Sequence, residues 1–99
     1  MSKPIFKVFY GKASPLWVQL SPEEREQIMS KMDAALEAVG AKRTLFLYTG
    51  WSSDKWRYAG VEEYPDIDAV QKYHAALYDL NWSLYFEGDS LLGNEPDST

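Results

Sequence analysis

Residues 5–10 read IFKVFY, with large apolar side chains at odd and even positions alike. The same density of apolar side chains returns at 44–48, 56–61 and 83–86. A half-exposed strand alternates apolar with polar residues, so these segments predict four strands that are covered on both faces. Two helices can cover only one face of a four-stranded sheet, and the other face then needs a second layer. The pattern therefore predicts a homodimer in which two copies join the same sheet face.

A helix is predicted between the first two strands. Ser21, Pro22 and Glu24 match an N-terminal capping box with proline at the first helical position. Gly40 is expected to close this helix in the left-handed conformation. Apolar residues recur at steps of three and four, which predicts one buried stripe made of Ile28, Met32, Ala35, Leu36 and Val39.

The second half of the chain repeats this plan. Residues 51–54 are typical of a hairpin turn, and Asp66 is the expected N-cap of a second helix. The stripe of that helix contains Val70, Tyr73, Leu77 and Leu80. The βαββαβ order predicts an α+β, ferredoxin-like fold with a four-stranded antiparallel sheet and two helices on one face. We expect one domain over 1–93 and a flexible C-terminal tail over 94–99.

Charge and composition bear on the class of partner. The 99-residue chain has a formal charge of −5, a pI of about 4.7 and no cysteine. Without clustered Lys and Arg, it is expected to bind neither nucleic acid nor a membrane. Trp56, Arg57 and Tyr58 would suit an RNA-binding sheet, but the expected basic-Gly-aromatic run is missing. The lack of cysteine, and of an apolar segment long enough to span a bilayer, fits a soluble cytoplasmic protein.

The element order, the doubly apolar sheet and one run of residues resemble the dimeric α+β barrel superfamily. The run extends from Val61 through Tyr64, Asp66, Ala69 and Tyr73 to Trp82. The resemblance implies that two sheets pair into one barrel, and that each protomer has a pocket between its sheet and its helices. Members of the superfamily use that pocket for cofactor-independent oxygenation, cyclisation, dehydration, isomerisation or haem breakdown.

A second resemblance is local. Two segments look like the darcynin family of small uncharacterised bacterial proteins. The matching residues are Ser14, Pro15, Leu16, Trp17, Leu20, Ser21, Glu24 and Arg25 in the first segment, and Tyr85, Phe86 and Glu87 in the second. This likeness suggests a relative and implies no chemistry.

Two branches of the superfamily imply particular residues. The haem-degrading branch has an Asn on the first strand, a Trp on the third and a His on the second helix; Trp56 and His74 correspond, but 5–10 contains no Asn. Members that cyclise or deprotonate polyketide-like substrates use a Tyr and a His on the second helix. Tyr73 matches the first of these, and Asp79 stands where the His is expected. We therefore expect no bound cofactor.

His74 and Tyr73 are the candidate catalytic residues. His74 is the only side chain whose ordinary pKa lies near neutrality, and it lies at the flank of the second helix's apolar stripe. The alternative is a histidine that only caps the core. Tyr73 points toward the sheet and could orient a substrate hydroxyl or carbonyl. Its alternative is core filling with a backbone partner for the hydroxyl.

The candidate substrate-binding residues are one arginine and four aromatic residues. Arg57 could anchor a carboxylate or phenolate, or else form a cross-strand or interface ion pair. The aromatic candidates could line a pocket mouth: Trp17, Trp51, Trp56 and Tyr58. Trp56 and Tyr58 could equally be buried where two sheets meet. No metal site is expected, because capping and solvation explain the acidic residues around Asp66, and one histidine without cysteine argues against zinc.

Two hypotheses of different class follow. In the first, a small enzyme without a cofactor binds an aromatic or polyketide-like molecule between sheet and helices. His74 then acts as general acid or base, with Tyr73 and Arg57 as orienting residues. In the second, the protein is a non-catalytic dimeric binding or stress-related module.

Overall fold

The computed structural model describes residues 3–97, which form one sheet with helices packed on one of its faces. The strands and helices, in chain order, are β1 (Ile5–Ala13), α1 (Pro15–Gln19), α2 (Pro22–Ala38), β2 (Lys42–Tyr48), β3 (Tyr58–Tyr64), α3 (Ile67–Asp79), α4 (Trp82–Tyr85) and β4 (Phe86–Gly93). The four strands are antiparallel in the spatial order β2-β3-β1-β4. The predicted ferredoxin-like α+β fold is confirmed.

Local signals place the ends of the two long helices. The Ser21 hydroxyl accepts a hydrogen bond from the Glu24 N–H at 3.1 Å, and the Glu24 carboxylate accepts one from the Ser21 N–H at 2.9 Å. Gly40, just after α2, has a φ of 76°, which is the left-handed conformation that glycine adopts without strain. Asp66 caps α3 by accepting from the Ala69 N–H at 2.8 Å. The capping predictions are therefore confirmed.

Two segments differ from the prediction. Residues 83–86 were expected to form a strand, but 82–85 form the short helix α4, and the last strand begins at Phe86. Ser14 explains part of this: its hydroxyl donates to the Leu84 carbonyl at 2.6 Å and its N–H to the Tyr85 carbonyl at 2.8 Å. Ser14, the residue between β1 and α1, therefore binds both of these carbonyls. The loop expected after the first strand is α1, and Trp56 lies before β3.

The sheet has one covered and one uncovered face. Helices α2 and α3 cover the face that contains the core, whose buried apolar residues are Met32, Leu36, Ala41, Tyr64, Ala69, Val70, Tyr73 and Leu77. On the other face, which we call the open face, a row of four paired residues crosses every strand: Leu45, Val61, Val8 and Leu91. Val8 is 48% exposed and Leu91 71%. An apolar face that the helices cannot cover is thus present, as the sequence predicts.

Within residues 3–97, no helix is both long enough and apolar enough to cross a membrane.

Candidate functional site

Three charged residues lie side by side on the covered face of the sheet. Arg43, Glu62 and Lys7 are paired neighbours on β2, β3 and β1. The Lys7 ammonium lies 3.2 Å from one Glu62 carboxylate oxygen, and an Arg43 guanidinium nitrogen lies 3.3 Å from the other. Lys7 is only 7% exposed and Glu62 only 3%. A carboxylate this deeply buried needs close positive partners, and here it has two.

Tyrosines complete this cluster. The Tyr64 hydroxyl donates to Glu62 at 2.8 Å, and the Lys7 ammonium lies 5.3 Å from the ring centre of Tyr73. Burial, and then the Glu62 charge, raise the pKa of both Tyr64 and Tyr73, so both phenols stay protonated. We call Lys7, Arg43, Glu62, Tyr64 and Tyr73 the buried ion network.

Arg43 connects this network to helix α2. Its guanidinium donates to Asp33 at 3.2 Å as well as to Glu62. Burial lowers the pKa of Arg43, but the Glu62 and Asp33 carboxylates outweigh that effect and raise it. The Nε atom of Arg43 is buried and has no hydrogen-bond partner within the described residues. The network therefore joins β1, β2 and β3 to both long helices.

Tyr73 and His74 are adjacent on α3 but differ in environment. Tyr73 is fully buried in the network, whereas His74 is exposed. Desolvation of the imidazole, followed by the positive charge of Lys7, lowers the pKa of His74, and Glu62 opposes this only in part. His74 is consequently neutral at physiological pH and able to accept a proton.

A second cluster, made of aromatic rings, occupies the other end of the covered face. Phe9, Phe46, Tyr58 and Phe86 form what we call the aromatic shelf. The Phe46 and Tyr58 rings are stacked, with centroids 5.7 Å apart, and Phe9 lies 6.3 Å from each of them. Tyr58 lies 6.3 Å from Phe86, and Trp17 lies 4.8 Å from Phe86. Phe46 remains 59% exposed, so one side of the shelf is open.

Glycines beneath the shelf let the tips of two of its rings approach the sheet closely. Gly11 is paired with Tyr58, and Gly60 with Phe9. A Cβ atom at Gly11 would lie 2.6 Å from the Tyr58 hydroxyl oxygen, and one at Gly60 would lie 2.5 Å from the Phe9 ring. Glycine in a central strand costs stability and often marks a close approach by another group. Here the approaching groups are the two rings together with the backbone carbonyls of Glu87 and Leu45, so the floor of the shelf is recessed.

The structure brings together only some of the predicted binding residues. Trp17 and Tyr58 both belong to the aromatic cluster. Trp56 packs on the opposite face of the sheet, 5.2 Å from Tyr10, and Trp51 is 82% exposed in the turn. Arg57 is exposed, and its guanidinium donates to the Gly50 carbonyl at 3.3 Å.

The predicted catalytic pair is distant from the Tyr58 end of the shelf. Tyr73 lies against Lys7, whereas Tyr58 pairs with Gly11, four residues further along β1. At about 3.3 Å per residue, this separates the pair from Tyr58 by about 13 Å along the strand, whereas Phe9, two residues after Lys7, is about 7 Å away.

A surface groove lies outside both clusters. A groove of about 570 Å³ lies at the junction of β1, α1 and β4, lined by Lys12, Ala13, Ser14, Pro15, Val18, Gln19 and Glu87. An ion pair of 3.8 Å between Lys12 and Glu87 lies in this groove. Across residues 3–97, no group of three His, Asp or Glu side chains is arranged to hold a metal ion.

Sequence reasoning missed the buried ion network, although a signal was present. Lys7 is the one charged residue in IFKVFY, and Glu62 follows an apolar strand segment. A lone charge inside a strand predicted to be covered on both faces requires a buried partner. Two such charges of opposite sign could therefore have been paired before the structure was known.

Comparison with known proteins adds information on the fold. No protein-family model matches the sequence, and no curated protein matches it either. Among solved structures, a mutant chlorite dismutase from Candidatus Nitrospira defluvii superposes with a TM-score of 0.75 at 20% identity, covering 97% of this chain and 42% of that one. SnoaB, a cofactor-independent oxygenase from Streptomyces nogalater, gives 0.63 at 16% identity, covering 98% and 97%. This chain shares the ferredoxin-like α+β fold of these structures.

A third similar structure is described as dimeric. It is a dimeric protein of unknown function with a ferredoxin-like fold from Bacteroides fragilis, with a TM-score of 0.52 at 14% identity, covering 93% and 96%. The chain spans less than half the length of the chlorite dismutase and nearly the full length of SnoaB and of the Bacteroides protein. At these identities the likeness concerns the fold.

Proposed function

We propose that the protein is a homodimer whose protomers meet through the open face. The apolar row of Leu45, Val61, Val8 and Leu91 supports this, because exposed apolar surface of this extent marks an interface. Charged pairs flank the row at both ends, Lys42 with Glu63 at 3.9 Å and Lys12 with Glu87 at 3.8 Å. An apolar centre inside a charged rim is the usual anatomy of a protein interface.

We further propose that each protomer binds a small aromatic or polyketide-like molecule on the aromatic shelf. The observation that carries this proposal is the recessed floor, where the tips of the Tyr58 and Phe9 rings reach over glycines while Phe46 stays exposed. Such a surface offers ring stacking to a flat ligand. It faces the helices, so the second copy on the open face would leave it free. Trp17 is the proposed side wall.

Binding is tested by titrating the protein with 2-acetylnaphthalene and following amide resonances by NMR. Phe46→Ala should weaken the affinity at least fivefold, because it removes the exposed stacking ring without touching the core. Tyr78→Ala is the matched control, since Tyr78 is an 84% exposed aromatic residue on α3 and, within residues 3–97, its ring contacts no ring of the shelf. Equal affinity for the two variants would contradict the proposed site.

A second candidate function is proton transfer by His74, with Tyr73 as an orienting residue. The lowered pKa of His74 beside Lys7 and Glu62 favours it, because a neutral imidazole is a competent base. A ligand stacked on Phe9 would have to extend about 7 Å along the strand to reach this pair, and one held at Tyr58 about 13 Å. His74→Gln should then abolish turnover of such a substrate with fold and dimer unchanged, and full turnover by the variant would remove the role.

The alternative is a non-catalytic dimeric binding or stress-related module, in which the same shelf holds a ligand without changing it. Wild-type protein would then return the bound molecule unaltered after prolonged incubation.

We also propose that the protein is related to the darcynin family, because of the resemblance at Trp17 and its neighbours and at residues 85–87. The absence of cysteine supports a proposed cytoplasmic location. SnoaB, with the same fold and a similar length, is described as a cofactor-independent oxygenase, which makes oxygen consumption the first activity to assay.

A further inference from the structure

The Tyr58 hydroxyl is a polar group set among apolar rings. The side chain is partly buried between Phe46, Phe9 and Phe86, and its oxygen lies above Gly11. Within residues 3–97, no hydrogen bond joins this hydroxyl to another residue. Burial is the cause that raises its pKa. A phenol in such surroundings normally finds a partner. This one is free to serve a bound molecule.

The surroundings determine which kind of partner suits it. Burial raises the pKa of Tyr58 to about 12, so the phenol is a hydrogen-bond donor throughout the physiological range. The shelf itself consists of three phenylalanine rings and Tyr58 above two glycines, none of which carries a charge. An anionic ligand group would lose its hydration there without gaining a cation. A neutral acceptor oxygen loses less and gains the hydrogen bond.

We propose that Tyr58 selects flat aromatic ketones by donating a hydrogen bond from its hydroxyl to the ligand carbonyl oxygen, while the ligand rings stack on Phe46 and Phe9. The inference rests on the proposed binding of aromatic molecules and adds the chemical class of the ligand. Gly11 is part of the site, because any side chain there would displace the Tyr58 hydroxyl. Tyr58 is a binding and positioning residue here.

Three probes of similar shape separate the contributions of stacking, hydrogen bonding and charge. They are 2-acetylnaphthalene, its hydrocarbon analogue 2-isopropenylnaphthalene, and the anion 2-naphthoate. Each is titrated into wild-type protein, Tyr58→Phe and the control Tyr78→Phe, with the Gly11 and Gly60 amide resonances reporting occupancy of the shelf. Tyr58→Phe retains the ring over Gly11, so the fold of the shelf is kept.

The expected result is a loss of about fivefold in ketone affinity for Tyr58→Phe, which corresponds to one neutral hydrogen bond. The same variant should change the affinity for the hydrocarbon by less than about twofold. Tyr78→Phe should bind all three probes as wild type does. Of the three probes, naphthoate should bind wild type most weakly. If the naphthalenes bind but Tyr58→Phe leaves ketone affinity unchanged, or naphthoate binds most tightly, the role of Tyr58 is wrong and shelf binding stands. If no probe shifts Gly11 or Gly60, both proposals are wrong.

Discussion

At the scale of single residues, Glu62 is the side chain on which the covered face most depends. It accepts hydrogen bonds from Arg43 and Tyr64 and lies 3.2 Å from the Lys7 ammonium. Burying such a group is costly, and the cost is offset only while all partners are present. The network therefore makes stability depend on a balance of charges inside the core.

Glu62→Gln should destabilise the protein by about 3–5 kcal/mol, because Lys7 is left buried without a counter-charge. The measurement is urea unfolding followed by circular dichroism. Glu63→Gln is the matched control, since its carboxylate is one-third exposed and lies 3.9 Å from exposed Lys42; its effect should stay below about 1 kcal/mol.

Combining Glu62→Leu with Lys7→Met should recover part of the lost stability, because the two opposite buried charges are then removed together, while the Tyr64 hydroxyl and Arg43 still lack the Glu62 acceptor. Equal unfolding free energies for the Glu62 and Glu63 variants would contradict this account of the network.

His74 makes stability depend on pH. Its pKa is lowered in the folded protein by desolvation and by Lys7, while Glu62 acts in the opposite direction. As the pH falls through the ordinary value of 6.5 toward the folded pKa, the unfolded chain binds more protons than the folded one. The contribution of His74 to the unfolding free energy is therefore at its maximum above pH 6.5 and falls as the pH drops below that value.

His74→Gln should remove this component. The difference in unfolding free energy between wild type and variant should therefore change between pH 7.5 and pH 5, with wild type losing more. A difference that stays constant across that interval would contradict the assigned environment of the imidazole.

At the scale of helices and strands, sequence prediction succeeds where the determining contacts are local. The Ser21 cap and the Asp66 cap each join residues that are three positions apart, so both can be predicted from a short window. Helix α4 could not be predicted in this way, because its Leu84 carbonyl is held by Ser14, 70 positions earlier in the chain. Such a contact exists only after the chain has folded.

Ser21→Ala should lower the stability of the protein by about 1 kcal/mol, because the Glu24 N–H loses its acceptor. Ser30→Ala provides the control, since Ser30 is exposed in the middle of α2 and caps nothing. Thermal unfolding should show a lower Tm for the first variant and an equal or slightly higher Tm for the second. The reverse order would contradict the role of the capping box.

At the scale of the whole molecule, the sequence predicts that apolar sheet surface exceeds what two helices can cover, and the structure has that open face. The aromatic shelf could not be predicted, because it depends on strand register: Tyr58 must meet Gly11, and Phe9 must meet Gly60. The same register separates Tyr73 and His74 from Tyr58. Residue types in a linear pattern contain too little information to place them in one site.

The central claim is that the open face is buried against a second copy. Light scattering of the purified protein at micromolar concentration tests it most directly, together with Val8→Lys, which places a charge in the middle of the apolar row. We expect the molar mass of wild type to be twice the chain mass of 11.4 kDa, and that of the variant to equal the mass of one folded chain. A wild-type particle of 11.4 kDa would contradict the claim.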